Sequence, residues 1–346
     1  MKRLKVGCIG LGRMGGIFTR HLARHVPEAE LVAVADPVPG LAERTAREYD
    51  VPRWFEDHQP LLTSGVESVV IATPASTHAE VVEAAAQAGC AIFCEKPLAL
   101  TLADCDRAMR AVEKGDVHFQ IGFHRRFDAP YVRAKRLIDE GVIGRPVTFK
   151  SVSRDPMMPR LEYARPEVSG GLVVDMAIHD FDVARWLMGS DVSRVYTEGN
   201  TLVFEELNSV GDFDNALISM RFHSGALGSV EVSRNALYGY DIRTEVLGSE
   251  GAVMIGALQQ TPVLLLTRHG AAHDVMRYII ERFNDAYLAE VTHFVRVVLG
   301  QQEFRGPSIS DGRDGTEIAL AATRSYWEGR IVELPLEEGE PVRSRP

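Results

Sequence analysis

Val6-Gly7-Cys8-Ile9-Gly10-Leu11-Gly12-Arg13-Met14-Gly15 joins an apolar run to a glycine cluster near the start of the chain. Lys5 to Ile9 reads as a buried strand, and Gly10, Gly12 and Gly15 have G-x-G-x-x-G spacing, with Arg13 and Met14 as the two intervening residues. At a strand-to-helix turn, bare glycine backbone can approach a pyrophosphate and the first helical N–H groups can bind it. The motif alone is common to many proteins. It gains weight from Asp36, which follows the next apolar run at the distance where a carboxylate accepts hydrogen bonds from an adenosine ribose. The bland alternative is a glycine turn followed by a turn-forming Asp before Pro37. Because the Asp36 carboxylate repels a 2′-phosphate, NAD is favoured over NADP, although Arg44 and Arg47 lie one helix away.

Outward from this loop, apolar runs recur at Leu31 to Ala35, Ser68 to Ala72, Ala91 to Cys94 and Val117 to Gly122, separated by helical stretches. Continuous apolar strands alternating with helices predict a parallel sheet covered on both faces, an N-terminal Rossmann domain over residues 1–123. Thr77-His78-Ala79-Glu80 has the spacing of a capping box, with a helix running to about Ala88 and stopping at Gly89. Beyond Gly144-Arg145-Pro146 the period changes to alternation, at Val147 to Ser153, Asn215 to Phe222, Gly228 to Ser233 and Arg243 to Leu247. This predicts a mainly antiparallel open sheet in an α+β domain over residues 124–346. Helices are expected over Gly171 to Met188 and Arg277 to Leu299, and a poorly ordered tail from Leu336 to Pro346.

Two clusters carry chemistry. Glu95-Lys96-Pro97 follows an apolar strand at its carboxyl end, where open α/β sheets present ligands; a lone lysine there is otherwise a solvated loop residue. Asp175 and His179 are four apart on one helix, so the carboxylate is placed to orient the imidazole and favour its protonated form. Such a histidine accepts a proton from an alcohol near neutral pH. Val173, Val174, Met176, Ile178 and Phe181 make the helix apolar on most sides, which argues that the two polar residues face a polar cleft rather than bulk solvent.

The composition excludes several other classes. A formal net charge of -10 argues against broad contact with nucleic-acid phosphates. Four cysteines in 346 residues form no disulfide framework, and Cys90 and Cys94 lack a second pair at zinc-ligand spacing, so no metal site and a reduced cytoplasm are expected. Gly7, Gly10 and Gly12 interrupt the N-terminal apolar run before a signal peptide's h-region can form. No apolar stretch is long enough to span a membrane.

With these residues in hand, the glycine loop, Glu95-Lys96-Pro97 and Asp175 with His179 resemble the Gfo/Idh/MocA oxidoreductases over nearly the whole chain. Gly122 to Asp128, Tyr238-Gly239-Tyr240-Asp241 and Arg282 to Tyr287 resemble its inositol-dehydrogenase branch. The resemblance implies NAD-dependent oxidation of a cyclitol ring hydroxyl to a ketone, with myo-inositol the first expectation. It also implies that His179 removes the hydroxyl proton, Lys96 hydrogen-bonds the same oxygen, and Asp175 orients and charge-balances the histidine. By the same resemblance Thr73, Pro74, His78, Glu95 and Lys96 border the cofactor, and Arg126, Asp155, Tyr240 and Tyr287 contact the polyol. Asp155 stands where some inositol dehydrogenases carry Asn, so the stereoisomer preference stays open. Arg126 also reads as a surface cation, Tyr240 as a sheet residue and Tyr287 as part of a helix core stripe. Alternatives are scyllo-inositol, D-chiro-inositol or a pyranose such as glucose as substrate, redox-assisted glycoside cleavage, and a noncatalytic NAD-binding regulator. A homo-oligomer is expected from the open sheet, a tetramer by resemblance.

Overall fold

The computed structural model describes residues 2–256 and 258–337. In the N-terminal part, strands and helices alternate: β1 (Leu4–Ile9), α1 (Arg13–Arg24), β2 (Ala29–Ala35), α2 (Leu41–Glu48), β3 (Trp54–Phe55), α3 (His58–Leu62), β4 (Ser68–Ile71), α4 (His78–Gln87), β5 (Ala91–Glu95), α5 (Leu102–Gly115) and β6 (Phe119–Gly122). The strands pair in parallel in the order β3-β2-β1-β4-β5-β6. Every residue of β4 and β5 is buried, as befits strands covered on both faces. Chain direction across the sheet reverses between β1 and β4, the switch point at which such sheets bind ligands beyond their carboxyl ends.

The second sheet follows. Its surrounding elements are α6 (Ala129–Asp139), β7 (Pro146–Arg154), α7 (Leu161–Ala164), α8 (Pro166–Ser169), α9 (Ile178–Met188), β8 (Val192–Asn200), β9 (Asn215–Phe222), β10 (Leu227–Ser233), β11 (Asp241–Gly248), β12 (Ala252–Ile255), β13 (Leu264–Thr267) and β14 (Gly270–His273). Two long helices, α10 (Ile279–Val298) and α11 (Ile309–Glu328), and the short β15 (Val332–Glu333) complete the chain. Seven strands form one sheet, β12-β11-β7-β10-β9-β8-β15, and β13 and β14 form a separate hairpin. All neighbours in the large sheet are antiparallel except β7 and β10. Burial alternates residue by residue along β9, so one sheet face is packed and the other open.

The two compact units are not continuous halves of the chain. One comprises Met1–Phe127 with Asp285–Thr316, the other Asp128–Asn284 with Glu317–Pro346, whereas the pattern of periods suggested a single change near residue 123. The returning segment contributes to the first unit's core: Tyr287 packs on Phe18 with ring centroids 6.0 Å apart, and Phe294 on Phe93 at 5.9 Å. In the second unit, buried Asp180 accepts hydrogen bonds from Ser151 and Ser153 and so ties α9 to β7.

Three local expectations need correction. Thr77 does not cap α4: its hydroxyl donates to the Pro74 carbonyl (2.8 Å) and lies 2.9 Å from Thr73 Oγ1, because a 3-10 turn over Ala75–Thr77 leads straight into the helix. Second, the helix expected over Gly171 to Met188 is not uniform, since Val173–Ala177 is a π segment preceding α9. Third, Leu336 is held, its N–H donating to Glu317 (2.9 Å), and residues 338–346 of the expected tail lie outside the described residues.

Candidate active-site elements

In the first unit, the loops after β1, β2 and β4 are locked together by their backbones. Gly10 N–H donates to Ala35 and Ala72 N–H to Ile9, each at 2.8 Å. Gly10 has φ +84°, and a Cβ there would lie 2.6 Å from the Ala72 carbonyl group. At Gly15 a Cβ would come within 1.8 Å of the Gly10 oxygen, so this glycine is needed for the turn to close on the helix. Nothing approaches within 4 Å of a Cβ on Gly12. No side chain caps the N-terminus of α1 and its first turn holds no acid, so the helix dipole there favours an anion.

Asp36 is buried, and its two carboxylate oxygens accept from Leu11 N–H (2.7 Å) and Val38 N–H (2.9 Å). The acid expected to meet a ribose therefore also fixes the glycine loop, while two carboxylate oxygens retain capacity for further donors. Arg47 pairs with Glu43 at 2.6 Å.

His78 does not present its ring to an open surface. It is buried, with Nδ1 2.7 Å from the Pro97 oxygen and Nε2 2.9 Å from the Thr73 oxygen, bridging the β4 loop to the turn after β5. Burial pushes its imidazole below the ordinary value. The Lys96-Pro97 bond is cis, and Lys96 is half-buried at the carboxyl end of β5. Behind it, Glu95 is buried and accepts from Lys96 N–H at 3.1 Å. Its partner in register, Gly122, leaves room for that side chain: a Cβ would sit 3.3 Å from the Glu95 carboxyl carbon. Glu290 on α10 is also fully buried, and both its carboxyl oxygens lack a hydrogen-bond partner among the described residues. Burial drives the Glu290 carboxyl well above its usual range, and the nearby Glu95 adds to the rise.

In the second unit, every residue from Gly171 to Ala184 is buried except Asp175 and His179. Those two are the half-open positions of an otherwise enclosed helical stretch, as the apolar pattern around them implied. Asp175 Oδ1 accepts from the Tyr163 hydroxyl (2.8 Å), and Oδ2 lies 3.6 Å from the guanidinium of Arg234. Neither Tyr163 nor Arg234 was signalled by spacing.

The expected polyol contacts have different local settings. Asp155 is half-buried, with its backbone tied to Ser233 (2.8 Å) and Ala236 (2.9 Å) beyond β10. Tyr240 is buried and its ring meets Phe283 edge-on at 6.2 Å. Arg126 donates to Asp311 at 2.8 Å. Tyr287 is a core residue, packed between Phe18 and His124, which favours its core-stripe reading. Arg282, from the same segment, makes a bidentate pair with Asp128, both bonds 2.7 Å.

Comparison with known proteins identifies the family. Residues 4–123 match the family model described as "Oxidoreductase family, NAD-binding Rossmann fold", and residues 131–254 match that of the "GFO/IDH/MocA C-terminal domain". The chain belongs to the GFO/IDH/MocA oxidoreductase family. Among relatives, the scyllo-inositol 2-dehydrogenase (NAD(+)) of Bacillus subtilis is 40% identical over 336 residues, 96% of each chain. The myo-inositol 2-dehydrogenase of Thermotoga maritima is 38% identical, covering 96% of this chain and 98% of that one. A crystal structure of scyllo-inositol dehydrogenase from Lactobacillus casei with bound NAD(H) and scyllo-inositol superposes with a TM-score of 0.91 at 31% identity, covering 96% of this chain and 99% of that one. As a family member this chain is an NAD-dependent oxidoreductase. The space at Gly12, the uncapped start of α1 and the Asp36 carboxylate fit a dinucleotide's pyrophosphate and ribose.

Proposed function

We propose that this enzyme oxidises one ring hydroxyl of a cyclitol to a ketone, with myo-inositol as first substrate. What carries the reading is the isolation of Asp175 and His179 as the only incompletely buried residues between Gly171 and Ala184, in a chain that also holds Lys96 beyond β5. Polar side chains that stay accessible in an otherwise buried apolar stretch mark where the helix faces a polar cleft, and Asp175 is held there by Tyr163 and Arg234.

His179 takes the hydroxyl proton as general base. Asp175, its orientation fixed by Tyr163, holds and charge-balances the imidazole. Lys96 hydrogen-bonds the reacting oxygen and stabilises the negative charge that develops there. NAD, when bound, supplies the hydride acceptor. Gly10, Gly12, Arg13, Met14 and Gly15 hold its pyrophosphate, Asp36 its ribose, and Thr73, Pro74 and the Glu95-Lys96 turn border it. Domain roles follow the same division: cofactor binding by the N-terminal Rossmann domain, and substrate binding and oligomerisation by the C-terminal one. Asp155, Tyr240 and Arg126 are proposed polyol contacts; Tyr287 acts through packing.

scyllo-Inositol is the second reading, supported by the name of the Bacillus relative, and the acid at position 155 leaves the stereoisomer preference open. The deciding experiment is NADH absorbance with purified protein, NAD or NADP, and myo-, scyllo- and D-chiro-inositol and D-glucose. NAD-dependent turnover on one inositol supports the reading. NAD binding without turnover on any of them overturns it and favours a regulator; sugar release without net NADH favours glycoside cleavage.

We place the enzyme in the cytoplasm as a homo-oligomer, tetramer favoured. All four cysteines are free and buried, consistent with a reducing compartment. No helix among the described residues is long and apolar enough to cross a membrane. Leu227, Thr148 and Leu247 line up in register across three strands, the two leucines on the open side, and Val263 to Leu266 at the β13–β14 hairpin are each more than half exposed. Exposed apolar side chains grouped in this way support an interface there. Leu265→Glu with Leu266→Glu should reduce the mass measured by light scattering, and an unchanged mass would remove the hairpin from the interface.

A further inference from the structure

Arg234 heads the fully buried side chains of the described residues by size, and it follows β10 directly, in a segment remote in sequence from Asp175. Burying a guanidinium is costly unless carboxylates meet it. Two do: Asp212 Oδ2 accepts from Nη2 at 3.3 Å, and Asp175 Oδ2 stands 3.6 Å from Nη1. Asp212 is itself almost inaccessible. Its other oxygen accepts from Leu172 N–H at 2.9 Å, at the start of the helix that carries Asp175 and His179. Burial raises the Asp212 carboxyl, with Arg234 opposing that rise. The Arg234 backbone is fixed in turn, its N–H donating to Asp214 at 2.9 Å, while the Asp214 carboxylate collects the N–H groups of Leu202, Val203 and Phe204.

We propose that Arg234 is a positioning residue for the proton-transfer group: anchored by Asp212, its guanidinium holds the Asp175 carboxylate from the side opposite Tyr163. The inference rests on the assignment of Asp175 and His179 under the proposed function. One guanidinium fork contacts two carboxylates, so it fixes direction as well as charge, which an ammonium group does not. Asp175 lies inside the π segment, whose i→i+5 hydrogen bonding changes the azimuth between this residue and the next turn. A carboxylate held at one oxygen by Tyr163 can swing about that contact, and the guanidinium charge 3.6 Å from the other oxygen opposes that swing.

The alternative is that Arg234 serves only to neutralise Asp212, and the two roles separate in a double-mutant cycle with Asp175. Arg234→Lys, Asp175→Asn and the double variant would be assayed for kcat with ordinary and ring-deuterated inositol, using the isomer that the wild-type enzyme turns over. KM for NAD would be measured alongside. Positioning through Asp175 predicts that Arg234→Lys lowers kcat about tenfold or more, the scale on which misplaced groups slow catalysis, with KM for NAD nearly unchanged. The deuterium effect on kcat should be retained or increased, because the chemical step is what slows. On an Asp175→Asn background, Arg234→Lys should cost almost nothing further. Multiplying losses in the double variant, or wild-type kcat in Arg234→Lys, would overturn the inference. Wild-type kcat in Asp175→Asn would instead overturn the site assignment, and the inference with it. If Arg234→Lys does not fold, Asp212→Asn with Arg234→Met removes one charge of each sign, and its kcat is compared in the same cycle.

Discussion

Replacing Glu95 by Gln should remove a pH-dependent destabilisation that the wild-type protein carries between mildly acidic and neutral solution. Burial raises the Glu95 carboxyl from 4.5 to about 7, against the opposing pull of Lys96. In the unfolded chain the group returns to its ordinary value, so between those two pH values the native state binds more protons than the unfolded state. Stability therefore falls as pH rises through this window and levels off above it. At 1.36 kcal/mol per unit, the full change is about 3 kcal/mol, of which roughly 2–3 kcal/mol falls between pH 5 and pH 8. Wild-type stability alone would not display it cleanly. His21 and His118 are pushed down to about 4 by burial, and such groups make stability rise with pH over the acid side of the same range. The readout is thus the difference between wild type and Glu95→Gln in urea-unfolding free energy at pH 5, 6, 7 and 8. The variant should gain relative to wild type with each step, whatever its offset at pH 5. A difference that stays constant over the series would refute the argument that Glu95 is ionised at the expense of folding.

The glycine loop offers a paired test. Gly15→Ala forces a Cβ to within 1.8 Å of a backbone oxygen and should destabilise by about 3 kcal/mol or more, read as a lower Tm, whereas Gly12→Ala meets no protein atom within 4 Å and should melt normally. Gly12→Ala should nevertheless weaken NAD binding about tenfold in a fluorescence titration, ~1.4 kcal/mol, if the space belongs to the pyrophosphate. Asp36→Ser should narrow the NAD-over-NADP ratio of kcat/KM by about tenfold, by removing the charge that repels a 2′-phosphate. His179→Ala should lower kcat by about 10²–10⁴ while leaving NAD binding intact; near-normal turnover would remove it as the base. Arg282→Met leaves Asp128 buried without its bidentate partner and should cost about 3–5 kcal/mol in urea unfolding.

The parts of this molecule that could be read from sequence are those in which one local period repeats. The strands β1, β4 and β5 are continuous apolar runs, β9 alternates, and α10 carries Phe283, Tyr287, Val291 and Phe294 at helical spacing, all of them buried. The return of Asp285–Thr316 to the first unit could not be read, because no local period says which distant surface a helix covers. β3 is two residues long and carries no period. Thr77 fitted a capping signature, but the pattern cannot register that the preceding turn is already helical. Lys96, Asp175, His179 and the glycines could be singled out as candidates because each stands out against an apolar neighbourhood. Tyr163 and Arg234 were not, since each is one polar residue in an unrelated segment. The available hint was that Arg234 continues the run of β10 without a break into what proves a buried position.

The π segment at Val173–Ala177 gives the helix two phases. Each residue in a regular α-helix advances the side-chain direction by about 100°, and a stretch with i→i+5 bonds accommodates one residue more per turn. The residues before it and those of α9 after it therefore follow two azimuthal clocks offset from one another; His179 keeps the second, and Asp175 lies in the stretch where the change is made. Shortening this stretch by a single residue would restore one clock along the whole helix, leaving α9 anchored through Asp180 to β7 and turning the segment that bears Asp175 instead. The relation between carboxylate and imidazole is thus encoded as a count of residues as much as by their identity.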